Sequence, residues 1–135
     1  MSTAVRFAAL VAVATLLLAP TAGSAAEVKV TLNPQNNSGE SGSATLTDSG
    51  DGKTKVSVQV NGQTGGPQPM HIHKGTCAQL DPAPAYGLPA LTDGKSEATV
   101  NVSLGDLQKA DYAINGHKSP QEAATYVFCG EIPKQ

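Results

Sequence analysis

Hydrophobic and polar residues alternate with period two over most of the chain after residue 26. Val28, Val30 and Leu32 alternate with Lys29 and Thr31 before Asn33-Pro34 ends the run. Ala44 and Leu46 alternate with Thr45 and Thr47, and the turn signal Asp48-Ser49-Gly50-Asp51-Gly52 follows. Lys53–Asn61 then puts Val56, Val58 and Val60 on one face and Lys55, Ser57 and Gln59 on the other. Such alternation marks a strand buried on one side, and two runs around an Asp/Gly turn predict a hairpin. Met70–Cys77 reads as a further strand. Ala98, Val100 and Val102 repeat the pattern, Asp111–Asn115 reads as a short strand, and Thr125–Ile132 as the last one.

The intervening segments read as connections. Gln35–Ser43 is polar and Gly-rich, Gly62–Pro69 is full of breakers, and Gly75–Thr92 carries Pro82, Pro84 and Pro89 with little periodicity. The last of these is expected to be a long surface loop. Helical signals are local: Ser103 caps a short turn over Leu104–Ala110, and Ser119-Pro120-Gln121-Glu122 has the form of a capping box opening one helical turn. About seven short strands, with no helix long enough to cross between parallel strands, predict an all-β fold, an antiparallel Greek-key β-sandwich.

Composition adds a leader and a compartment. Arg6, the apolar run Ala8–Ala19, the helix breaker Pro20 and the small residues Ser24-Ala25-Ala26 form the pattern of a secretory signal peptide over residues 1–26, cleaved after Ala26. The apolar run falls short of the roughly 20 residues of a membrane span. One domain, residues 27–135, remains, and its expected destination is secreted or periplasmic. It has eight lysines, eleven carboxylates and no arginine. That acidic balance without a basic cluster argues against nucleic acid and against anionic membrane surfaces as partners. No tryptophan and few aromatics leave a core of Val, Ala, Leu and Ile, which gains from a covalent staple. Cys77 and Cys129 are the two cysteines, and in an oxidising compartment they are expected to form a disulfide worth about 4 kcal/mol. The alternative is two free thiols joining nearby histidines on a metal.

Candidate chemistry concentrates in Met70-His71-Ile72-His73-Lys74-Gly75-Thr76-Cys77. On a strand, His71 and His73 share a face with Cα atoms roughly 7 Å apart, a spacing that lets two imidazoles converge on one ion. His117, at the end of a strand and just before the capped turn, is the third histidine. The disulfide would draw its part of the chain toward the His pair. Three neutral imidazoles suit copper or zinc, with a further position open to water or a small ligand. The plainer alternative is that all three histidines only pack. Met70 is a soft donor for Cu(I), but period two turns it away from the pair and into the core. Lys74 and Lys118 flank histidines and could steer anions, or be ordinary surface lysines. No nucleophile–base–acid arrangement stands out, so no catalytic residue is assigned.

Several of these stretches resemble a known family. Val30-Thr31-Leu32-Asn33-Pro34, Ser43-Ala44-Thr45-Leu46-Thr47 and His71-Ile72-His73-Lys74-Gly75 resemble exported bacterial proteins with a chordin-type (CHRD) domain. The His-x-His strand, the loop Cys77, the late His117 and the terminal Cys129-Gly130-Glu131-Ile132 are also similar in pattern to the Cu/Zn superoxide dismutase sandwich. The resemblance implies copper ligands at His71, His73 and His117 and a Cys77–Cys129 disulfide. It also defines departures. There is no bridging histidine, the loop after Cys77 offers only Asp81 and Asp93, and the position of the family's guiding arginine falls near Tyr126. No zinc site is therefore expected. A copper-binding protein, a copper-only dismutase and a metal-free interaction module are the functional alternatives.

Overall fold

The computed structural model describes Met1 and residues 17–135, and eight antiparallel strands organise it. They are β1 (Glu27–Pro34), β2 (Ser41–Gly50), β3 (Lys53–Asn61), β4 (Gln68–Thr76), β5 (Gln79–Leu91), β6 (Lys95–Val100), β7 (Tyr112–His117) and β8 (Tyr126–Glu131). One short helix, α1 (Leu104–Leu107), lies between β6 and β7. The spatial order β5-β4-β7-β8-β1-β2-β3-β6 forms a single sheet that nearly closes on itself. Strand β1 makes one corner: Glu27–Leu32 pairs with β2, while Asn33 and Pro34 pair with β8. The two ends of the sheet, β5 and β6, meet at the other corner, where Thr92 and Lys95 exchange backbone hydrogen bonds of 3.0 Å across the Asp93-Gly94 turn.

Alternation drives the enclosure. Val30 and Leu32 of β1, Ala44 and Leu46 of β2, and Val56, Val58 and Val60 of β3 face inward and are buried. From the opposite side come Met70 and Ile72 of β4, Ile114 of β7 and Phe128 of β8. Leu104 and Leu107 of α1 join this core, and Ser103 caps the helix by accepting from the Asp106 N–H at 3.0 Å. The hairpin of β2 and β3 is as read from its pattern. Asp48 Oδ1 accepts from the Gly50 N–H at 2.8 Å, and Gly50, Asp51 and Gly52 all take positive φ in the turn.

The expected loop over Gly75–Thr92 is the principal correction. Most of it is β5, the eighth strand, paired with β4. Its prolines are tolerated because β5 stands at an end of the sheet order, where a residue without an N–H forfeits no second ladder. Register shifts between Ile72 and His73 and between His73 and Gly75 absorb the irregularity. Strand β2 also begins earlier than expected, at Ser41, which shortens the polar loop before it. The Ser119–Glu122 segment makes hydrogen-bonded turns instead of a helical turn. Ser119 Oγ accepts from the Glu122 N–H at 3.0 Å, but the Glu122 carboxylate takes Lys118 Nζ at 2.9 Å instead of reaching back to Ser119.

Cys77 and Cys129 form a disulfide that ties the segment after β4 to β8. Arg6 and most of the apolar run of the expected signal peptide lie outside the described residues. Residues 17–26 are exposed and belong to no helix or strand. Among the described residues no helix is long and apolar enough to cross a membrane.

Candidate metal centre

Strand alternation sends Met70 and Ile72 of β4 into the core and leaves His71 and His73 on the outer face. Met70 is fully buried there as a core residue, away from the histidines. Across the ladder, β7 pairs His71 with Asn115 and His73 with Ala113. His117 ends β7 just after a register shift at Gly116, which turns its ring back toward β4. Gly116 also leaves room for the Phe128 ring packed against it, since a Cβ there would lie 2.3 Å from that ring.

The three rings meet. Centroid separations are 5.4 Å for His71–His73, 5.0 Å for His71–His117 and 6.1 Å for His73–His117. One nitrogen from each lies within 4.8 Å of the others. His71 Nδ1 and His117 Nε2 are 3.0 Å apart. Bonds of about 2.0–2.1 Å to a common ion want pairs about 3.4 Å apart, so a pair at the 4.8 Å limit has to close by about 1.4 Å through ring rotation. His73 and His117 are buried, and His71 is half-buried.

Backbone carbonyls orient two of the rings. His73 Nδ1 lies 2.8 Å from the Asp81 carbonyl, and His117 Nδ1 lies 2.5 Å from the Ala123 carbonyl. An imidazole that donates its Nδ1–H to a carbonyl keeps Nε2 as a bare acceptor, the form that binds metal. In His73 that Nε2 is buried and has no hydrogen-bond partner. His71 resists protonation: burial pushes its pKa down first, and the neighbouring His117 and His73 push it down further. The Tyr126 and His117 rings pack nearly perpendicular to each other, with centroids 5.2 Å apart.

All three histidines singled out in the sequence are thus brought together, and both cysteines are consumed in the disulfide, which removes the thiol-ligand alternative. Asp81 contributes its carbonyl, while its carboxylate accepts from the Ala83 N–H at 2.9 Å. Lys74 is exposed, and Lys118 pairs with Glu122. The sequence did not reveal the roles of the Asp81 and Ala123 carbonyls. No protein-family model, curated protein or solved structure matches the chain.

Proposed function

We propose that this chain is an exported, single-domain metal-binding protein in which His71, His73 and His117 hold one copper-type ion. The carrying observation is the buried, unpartnered Nε2 of His73 beside the 3.0 Å pair of His71 and His117. A buried acceptor left bare costs stability that a bound cation restores. The carbonyls of Asp81 and Ala123 fix the tautomers, so the site is oriented before any ion arrives. In the metal-free reading the histidines only pack, and the bare His73 nitrogen has no purpose.

The disulfide fits a secreted or periplasmic setting, as does a signal peptide over residues 1–26. The strand order, with β7 beside β4 and β6 beside β3, supports a Greek-key sandwich of the dismutase type. Catalysis is the weaker reading: the face offers neither an arginine nor a fourth histidine. The site is non-catalytic or weakly redox-active. Copper and zinc titration of residues 27–135, beside a His71→Ala/His73→Ala variant, tests the proposal. Loss of at least about 100-fold in copper affinity is expected, and equal affinity in both proteins removes the metal site. A superoxide assay no faster than free copper then separates binding from dismutation.

A further inference from the structure

Asn115 is fully buried, yet neither its Nδ2 nor its Oδ1 meets a hydrogen-bond partner. Such a pair of bare atoms in a sheet calls for a reason. Asn115 is the direct ladder partner of His71, which brings the two Cβ atoms to roughly 4.5–5.5 Å. On its other side it is the partner of Cys129, one half of the disulfide. The amide therefore stands on the histidine face, between the candidate metal centre and the cross-link. His71 presents Nδ1, the ring nitrogen nearer its own backbone, to His117. Asn115 is the cross-strand neighbour of that ring, so its side chain shares the face of the sheet from which His71 rises.

Resting on the three-histidine reading, we propose that Asn115 Oδ1 is a fourth ligand of the same ion. One cation would then take up two acceptors that this face leaves bare, His73 Nε2 and Asn115 Oδ1. The donor set becomes three imidazoles and one neutral oxygen. Oxygen is a harder donor than nitrogen or sulfur, so its addition favours the divalent ions Cu(II) and Zn(II) over Cu(I). Asn115 thereby sets which oxidation state the protein keeps.

The test compares Cu(II) and Cu(I) affinities of the native chain with those of Asn115→Val and Asn115→Asp. Valine removes two unpaired polar atoms and favours a strand, so the metal-free Asn115→Val protein is expected to melt no lower than the native one. Its Cu(II) affinity is expected to fall about 10-fold or more while its Cu(I) affinity holds, with altered nitrogen and oxygen signatures in the Cu(II) electron-spin spectrum. Unchanged Cu(II) affinity, or equal loss for both ions, overturns the proposal. Asn115→Asp keeps an oxygen at the same atom and adds a charge. It is expected to bind Cu(II) at least as tightly as asparagine does, and weaker binding also overturns the proposal. If the native chain binds neither ion, the three-histidine reading itself fails and takes this one with it. If the native chain binds and the Asn115 variants match it, only the fourth ligand is lost.

Discussion

Reduction of the Cys77–Cys129 disulfide removes a cross-link between residues 52 positions apart. A closed loop of that length restricts the unfolded chain, and the chain-entropy relation gives about 4 kcal/mol for it at room temperature. A domain of this size is held by only about 5–15 kcal/mol in total, so the loss is a large fraction of the whole. With a urea dependence of about 2 kcal/mol per molar, the unfolding midpoint should fall by about 2 M. The assay is urea unfolding followed by far-ultraviolet circular dichroism, with and without reductant, with the thiol count checked by mass. The reduction also reaches the candidate metal centre. The Asp81 carbonyl that orients His73 lies just beyond Cys77, in a stretch that the disulfide tethers to β8. Copper affinity of a Cys77→Ala/Cys129→Ala variant, which loses the cross-link without supplying thiols that would bind copper themselves, is expected to drop about 10-fold, the usual effect of loosening a group that positions a ligand. A midpoint shift below about 0.5 M in fully reduced protein would show instead that native β pairing alone is enough to hold the two segments.

Two other outcomes are expected. In the folded chain the pKa of His71 is lowered, so its folded state binds a proton less readily than its unfolded state does. Its stabilising contribution is therefore present above the unfolded value of about 6.5 and is lost as pH falls. Urea midpoints of the metal-free protein across about pH 5–8 should decline toward acid, less steeply in His71→Gln, and identical slopes would contradict this. Gly116→Ala places a Cβ 2.3 Å from the buried Phe128 ring. Overpacking of this kind costs about 1–3 kcal/mol, and thermal unfolding reads it; an unchanged melting point would show that the ring moves freely.

Much of the fold was legible because period-two alternation is unambiguous in β1, β2, β3 and β6, where one face meets water. Strand β5 was not, since its prolines break the alternation and its pairing with β4 is itself irregular. A proline-rich end strand and a loop look alike in sequence; they differ only in whether a partner strand lies alongside. The histidine cluster was visible as residues but not as a site. His-x-His fixes a shared face by itself, whereas the arrival of His117 depends on the β4–β7 register and on the shift at Gly116. The carbonyls that orient the rings could not be read at all, because any residue type supplies one. Asp81 reaches His73 through the irregular pairing of β4 with β5, and Ala123 reaches His117 through the turns after Ser119.

Native mass spectrometry of residues 27–135, loaded with one equivalent of Cu(II) and desalted, weighs the ion count of each chain. Single variants His71→Ala, His73→Ala and His117→Ala are measured beside the native protein. One ion on each native chain, and its loss from all three variants while their strand signal in circular dichroism is retained, is the expected result. Copper retained equally by the variants, or absent from the native chain, would contradict the assignment of the three histidines as ligands.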